Sequence, residues 1–475
     1  MGCEASQPWI GAVQIMISLT ALKQMRVHFI GIGGAGMSGL ARIMLDLGIS
    51  VSGSDVKESQ VLTGLQVLGA QVAIGHAPSN IDGVDLVVVS GAISNSNVEY
   101  EAAIAKAIPV IPRASALAIL MSESTSIAVA GTHGKTTTTS MLTVALQKAG
   151  FDPSFAIGGL INNSGTNAHL GTGEIFVAEA DESDGSFLAY QPFGAIITNI
   201  ELDHVDHFAD FDSVLAIFHQ FVKTIKSGGF LVLCNDDPGA ARLASEITRT
   251  DIEVITYGTE ANFSISRVHL SPMESTARIT QNGRVLGELR LQVPGAHNVL
   301  NATAALAAGL TLGASPIEFI SGLEIFSGTR RRFEFKGEAR GVRVIDDYGH
   351  HPTEIAVTLD AARRYVEPGR LLVIFQPHRY SRTKAFAPEF AAALSKADHI
   401  YLLDIYAASE TPIPGVTSEL ISQLLPQEQV TLESSLIEVI DHVIAQAKAA
   451  DLIITLGAGD VSSLALVILT ALAEQ

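Results

Sequence analysis

Short apolar runs alternate with stretches of helical period along most of this chain. The run RVHFIGI, from Arg26, meets a glycine turn and then GMSGLARIMLDLG, where apolar residues recur every three to four positions; VSGSD and VDLVVVS follow as further apolar strands. Strands separated by single helices pair in parallel, because a parallel crossover needs the length of a helix. The pattern restarts at SIAVAGTHGKTTTTSMLTVALQKAG and continues through EIFVAEAD, GAIITNI and GGFLVLCNDD. After Gly328 it restarts again, with VRVIDDY, a helix expected from Pro352 to Tyr365, RLLVIFQ, a helix expected near Ala385 to Ala397, HIYLLDI, and DLIITLGAGD ahead of a last helix. The expected fold is therefore α/β in three domains, at residues 25–121, 122–327 and 328–475. The first and third are expected to be Rossmann-like and the middle one of the P-loop type. Residues 1–24 precede the first clean strand and lack the basic start and cleavage site of a signal peptide, so they are expected to be an extension. Gly2, Cys3 and Ser6 fit a lipidation pattern short enough to recur by chance.

The length of 475 residues suits about three domains of roughly 150 residues. Charge narrows the function: 30 Lys and Arg against 49 Asp and Glu give a formal net charge of -19, which repels a nucleic-acid backbone, so no nucleic-acid partner is expected. Two cysteines, Cys3 and Cys234, build neither a disulfide framework nor a four-thiolate metal site, which suits a reducing, cytoplasmic setting. The longest apolar candidates, residues 10–22 and 464–472, fall short of the roughly 20 residues that cross a bilayer, so no membrane insertion is expected.

Two glycine turns carry the chemistry. Gly31-Ile-Gly33-Gly34-Ala35-Gly36 has the G-x-G-x-x-G spacing between a strand and a helix, where backbone N–H groups and the helix dipole attract a diphosphate; Asp55 stands where a ribose-binding acid would follow. Alone, this turn suggests a nicotinamide-dependent dehydrogenase, or merely a tight connection. The second turn, Gly131-Thr132-His133-Gly134-Lys135-Thr136-Thr137, ends like a phosphate-binding loop, with a lysine for the terminal phosphates and a threonine for magnesium. Val129 stands where the strict motif has its first glycine. A lysine-threonine pair at a helix start still points to a nucleoside triphosphate, for which a dehydrogenase has no use. Magnesium requires further hard ligands, and two successive strands end in them: Glu179, Asp181, Glu182 and Asp184 on one, Glu201, Asp203, His204, Asp206 and His207 on the next. Finally, the 57 residues from Gly328 to Lys384 hold 12 of the 30 Lys and Arg, a concentration that suits anionic ligands.

Taken together, GIGGAGMSG, AGTHGKTTT, AEADESD, NIELDHVDHF, PGAHNVLNA, GTRRRFE, DDYGHHPTE and QPHRYSR resemble the Mur ligases over essentially the whole chain from Met25. The resemblance implies an ATP- and Mg2+-dependent amide ligase of peptidoglycan precursor synthesis, and GIGGAGMSG with QPHRYSR favours the branch that joins L-alanine to UDP-N-acetylmuramate. Other Mur-type acceptors, a dehydrogenase and a non-catalytic nucleotide-binding protein are the competing readings; oligomeric state is left open. By resemblance, Gly33, Gly34, Ala35, Gly36, Met37 and Ser38 wrap the UDP diphosphate, with Asp55, His76 and Ser90 on the same substrate. Lys135 and Thr136 fall on ATP phosphate and magnesium positions, Glu179 and His204 on metal positions, and Asn298 on the adenine side. Arg331, Arg332 and Asp347 are expected near ATP. Tyr348, His378, Arg379 and Arg382 are expected around the amino acid, Arg because its planar fork grips a carboxylate. His204 and His350 are the candidate bases for the incoming amine.

Overall fold

The computed structural model describes residues 17–474. The lipidation pattern of Gly2, Cys3 and Ser6 lies outside them, as does most of the expected extension. What is described of that extension is a short helix, Leu19–Leu22, capped by Ser18 and burying both leucines.

The chain divides into two compact units, residues 1–124 and 125–475. In the first, five parallel strands lie in the order Gln71–Ile74, Ser50–Asp55, Arg26–Ile30, Leu86–Val89 and Val110–Pro112. The chain order therefore reverses beside Arg26–Ile30, the arrangement in which open sheets bind ligands at the carboxyl ends of their strands. The helix Ala35–Asp46 follows that strand and buries Met37, Leu40, Ile43 and Met44 against the sheet.

The second unit holds two sheets. The larger has ten strands, and its centre is parallel: Glu253–Gly258, Phe230–Cys234, Gly194–Ile197, Thr125–Ala130, Ile175–Glu179 and Ser154–Ala156. The strands Phe263–Leu270, Ser275–Gln281 and Arg284–Leu291 extend it as an antiparallel meander that the sequence reading did not anticipate. The helix Lys135–Lys148 is polar in sequence yet mostly buried, packed against Ala296–Thr311 and Pro316–Glu324. Its hydroxyls tolerate burial because Thr139, Ser140 and Thr143 each donate to the carbonyl four residues back.

The third sheet has six strands, in the order Glu334–Ala339, Val342–Asp347, Leu452–Leu456, Leu371–Phe375, His399–Leu403 and Val430–Glu433; all but the first pair in parallel. The helix expected from residue 352 runs Pro352–Val366. The next runs Tyr380–Leu394, starting five residues before the expected point, and contains Pro388, as the expected span did. A non-helical Phe386 (φ -123°, ψ 21°) accommodates the missing donor and the ring clash of that proline.

Candidate active site

The second glycine turn follows Thr125–Ala130, whose neighbours are Gly194–Ile197 on one side and Ile175–Glu179 on the other. Its shape depends on glycine. Gly134 has φ 81° where it opens the helix, and a Cβ on Gly131 would lie 2.1 Å from Thr198 Oγ1. The end of the neighbouring strand ties the turn down: His133 N–H donates to Asn199 Oδ1 at 2.8 Å, and Asn199 Nδ2 and Thr198 Oγ1 donate to the His133 carbonyl at 3.0 and 2.5 Å. Thr198 and Asn199 were missed in sequence, where nothing marks an uncharged strand end as a clamp.

Lys135 Nζ donates to the Gly131 and Thr132 carbonyls at 2.7 and 3.2 Å and to both oxygens of buried Glu182 at 2.9 and 3.0 Å. Burial alone would favour the neutral amine. The carboxylates of Glu182, then Asp181 and Glu179, outweigh it and hold the ammonium above the ordinary lysine range. Thr136 Oγ1 donates to Glu179 Oε1 at 2.9 Å, and the other Glu179 oxygen accepts from Gly158 N–H at 2.7 Å. Thus two of the three residues expected at a metal meet directly. His204, at φ 50°, instead groups with Asp181 and Glu182 closely enough for shared ligation, and its buried Nδ1 has no hydrogen-bond partner among the described residues. The Thr136 hydroxyl with the Glu179 carboxylate, and the group of Asp181, Glu182 and His204, are donors of the kind that fit a divalent cation.

A cavity of about 260 Å3 opens off the turn, lined by His133, Gly134, Thr137 and Asn298 from the middle sheet and by Arg332 and Asp347 from the third. Asn298 is buried, with its Nδ2 donating to the Pro294 carbonyl and its Oδ1 accepting from Asn301 Nδ2. Asp347 closes the strand Val342–Asp347 and accepts from the N–H groups of Phe333 and Gly349, both at 2.7 Å. Tyr348 lies under the guanidinium groups of Arg331 and Arg332, at 4.7 and 5.2 Å from the ring centre. Arg331 also donates to the Gly457 carbonyl, and Arg332 to Glu354 Oε1 at 3.0 Å.

Glu354 ties these pieces together. It also accepts from His350 N–H at 3.0 Å and lies 3.6 Å from His133 Nδ1. Burial would lower the His133 pKa, but the carboxylates of Glu201 and Glu354, 3.5 and 3.6 Å from its two ring nitrogens, raise it to about 9, so this loop residue is an imidazolium at neutral pH. Glu354 was missed in sequence, although Pro-Thr-Glu at a helix start is a capping signature.

The amino-acid residues expected on the third sheet face the acidic strand end of the middle one. Arg382 grips Asp203 through Nε and Nη2 at 2.9 and 3.1 Å, with both side chains 3% exposed, and its Nη1 lies 3.3 Å from His378 Nδ1. Its fork is therefore engaged by a protein carboxylate. Removing one partner of such a pair typically costs about 3–5 kcal/mol, because the other charge stays buried alone. Arg379, at φ 72°, pairs with Asp206 at 2.5 Å and is more exposed, and Thr353 Oγ1 donates to Glu201 Oε2 at 2.7 Å. His378 stacks on Tyr406, with ring centres 5.5 Å apart, and lies 5.7 Å from the His350 ring. Burial lowers the pKa values of His350 and His378 to about 3 and about 4, and lowers that of His204 as well. His350 Nδ1 faces the Tyr348 carbonyl at 3.2 Å, which can only accept, so its proton sits there and Nε2 keeps a lone pair.

In the first unit, Gly34 caps the helix Ala35–Asp46 and leaves its N-terminus for an anion. Asp55 braces the turn from below, with Oδ2 accepting from Gly33 N–H and Oδ1 from Val56 N–H, both at 2.8 Å. Two expected ligand contacts are turned inward: the Met37 side chain is buried, and Ser38 donates its hydroxyl to the Ala35 carbonyl and its N–H to the Gly34 carbonyl. Ser38 lies inside the helix ladder, where spacing alone did not show that its donors were spent. Ser90 follows the strand Leu86–Val89, and His76 bonds Ser54 Oγ at 2.9 Å. Arg113, overlooked in sequence as an isolated charge, brings its Cδ, Nε and Nη1 within 3.1–3.3 Å of where a Cβ on Gly36 would be. It supplies a cation beside the turn.

Residues 26–125 match the catalytic domain of the Mur ligase family, residues 129–309 the Mur ligase middle domain, and residues 331–459 the Mur ligase glutamate ligase domain. The chain is 50% identical over 455 residues to UDP-N-acetylmuramate--L-alanine ligase of Acidothermus cellulolyticus, covering 95% of each chain. It is 49% identical to the protein of the same name from Mycolicibacterium smegmatis, covering 92% of this chain and 93% of that one. Among solved structures, UDP-N-acetylmuramate-alanine ligase of Thermotoga maritima superposes with a TM-score of 0.79 at 28% identity, covering 95% of this chain and 98% of that one.

Proposed function

The chain belongs to the Mur ligase family, and we infer from this that it joins L-alanine to the carboxylate of UDP-N-acetylmuramate, converting ATP to ADP and phosphate, in peptidoglycan precursor synthesis. The observation that carries the reading is the half-identity to L-alanine ligases over 95% of the chain, on a phosphate loop whose lysine is in place.

A free carboxylate does not condense with an amine in water, so it must first be activated. The muramyl carboxylate oxygen attacks the γ-phosphorus of ATP, ADP leaves, and an acyl phosphate forms; the alanine amine then attacks the acyl carbon and expels phosphate. Lys135 is placed to meet the charge that builds on the transferred phosphoryl group. Thr136, Glu179 and His204 would hold Mg2+, which when bound neutralises phosphate charge. Asn298, Arg331, Arg332 and Asp347 serve ATP in this reading; Gly33, Gly34, Ala35, Gly36, His76 and Ser90 serve the UDP-sugar. Arg379 and His378 line the alanine site, and His204 and His350 are the candidate bases for the incoming amine. Arg382 acts there by holding Asp203. We assign the three domains to residues 25–121, 122–327 and 328–475, and the protein to the cytoplasm, where its nucleotide substrates are.

The test is phosphate release from Mg-ATP with UDP-N-acetylmuramate and each of L-alanine, glycine, L-serine and D-glutamate. Release should be greatest with L-alanine and should require the UDP-sugar. Release driven by another acceptor would overturn the alanine assignment and leave the reaction class.

A further inference from the structure

Glu99 has no part in the function above, yet its placement is unusual. It lies in the first turn of the helix Val98–Ala105, where a carboxylate normally stays in water while favouring the helix dipole, and it is 0% exposed. Oε1 accepts from Asn80 Nδ2 at 2.5 Å and Ala77 N–H at 3.2 Å; Oε2 accepts from Ser54 Oγ at 2.5 Å and lies 3.2 Å from His76 Nδ1. Burial would drive the carboxyl to its neutral form, but the His28 ring, whose Nε2 lies 3.5 Å from Oε2, and the hydrogen bonds from Ser54 and Asn80 outweigh it and bring the pKa to about 2. At neutral pH Glu99 is an anion that can only accept.

That settles the proton on His76. Ser54 has one O–H, and it is committed to Glu99, so toward His76 Nδ1, 2.9 Å away, its oxygen is an acceptor. Nδ1 therefore faces two acceptors and must carry a proton, so that the neutral tautomer of this ring is the one with its lone pair on Nε2. The ring is 18% exposed and follows the carboxyl end of Gln71–Ile74, on the edge where such sheets bind ligands.

We propose that Glu99 is a positioning residue that fixes His76 as the Nδ1–H tautomer, so that Nε2 accepts a hydrogen bond from a donor on the uridine part of the UDP-sugar, either the uracil imide N–H or a ribose hydroxyl. The inference rests on the reading of His76 as a UDP-sugar contact, and the test separates the two.

In histidine-15N-labelled full-length protein, with His76→Gln identifying the ring, the proton is expected on Nδ1; a proton on Nε2 overturns the inference. The kinetic arm uses shape, because a Gln side chain reaches where Nε2 lies and Asn only where Nδ1 lies. His76→Asn should raise KM for UDP-N-acetylmuramate about five- to tenfold, the loss of one hydrogen bond, with kcat changed less than about twofold, and His76→Gln should raise it clearly less. Equal rises overturn the tautomer assignment and keep His76 in the site; no rise in either overturns both. N3-methyl-UDP and 2′-deoxy-UDP, as competitive inhibitors, identify the donor: the analogue whose deficit against UDP disappears in His76→Asn lacks it, and persistence of both deficits overturns the proposal. Glu99→Gln offers Nδ1 a donor and should move the ring proton to Nε2. If that variant fails to fold, the wild-type spectrum and the His76 pair decide.

Discussion

The two glycine turns of this protein share one backbone device and differ in where their charge comes from. Each follows the strand at which sheet order reverses, and each opens a helix whose first N–H groups attract an anion. In the first, the brace is Asp55 under the turn and the cation, Arg113, comes from a separate helix. In the second, the cation is built in as Lys135 and is held by a buried carboxylate, Glu182. A diphosphate that is only held needs exposed N–H groups and a nearby positive charge. A phosphoryl group that is transferred needs a charge fixed against the atom that moves, in a dry site where reorganisation is small.

The strongest way to break this contrast is Lys135→Ala. Turnover measured as phosphate release should fall about a thousandfold, the scale of losing a key transition-state charge contact, while calorimetric affinity for UDP-N-acetylmuramate stays within about twofold. Loss of UDP-sugar binding in folded protein would contradict the division of labour. Asp55→Ala should do the converse at smaller cost. With the Gly33 and Val56 N–H groups left without their acceptor, UDP-sugar affinity should weaken about tenfold, with KM for ATP nearly unchanged. An equal effect on both substrates would make Asp55 a general structural residue.

The smallest effect concerns His133, in the second turn. Its folded pKa, about 9, lies above its ordinary value of 6.5, so its pairing with Glu201 and Glu354 stabilises the fold fully below about pH 6.5 and is lost as pH rises through about 9. The melting temperature of ligand-free protein should therefore decline over that window, and His133→Gln should flatten the decline. An unchanged slope in the variant would show that the imidazolium is not what titrates.

Much of this was legible in the chain because it is written locally. The restarting strand-turn-helix pattern gave three α/β layers, and Lys135, Thr136 and Glu179 were recognisable because the chemistry needs those residue types within a turn of one another or at a strand end. The antiparallel meander over 263–291 was not, since its half-exposed strands lack the continuous apolar runs that mark the buried parallel ones. Arg382 looked like an open carboxylate clamp, and only the fold supplied Asp203, 179 residues away in sequence, to fill it.

The sequence by itself determined the elements, the two anion-binding turns and the inventory of charged groups, because backbone conformation and helix-start chemistry depend on neighbours in the chain. Tertiary structure decided which charges meet: Lys135 with Glu182, Arg382 with Asp203, Glu354 with Arg332, and Glu99 with Ser54 beside His76. Those pairings set protonation and direction of hydrogen bonding, and they depend on burial and on contacts between distant segments, which no local pattern encodes.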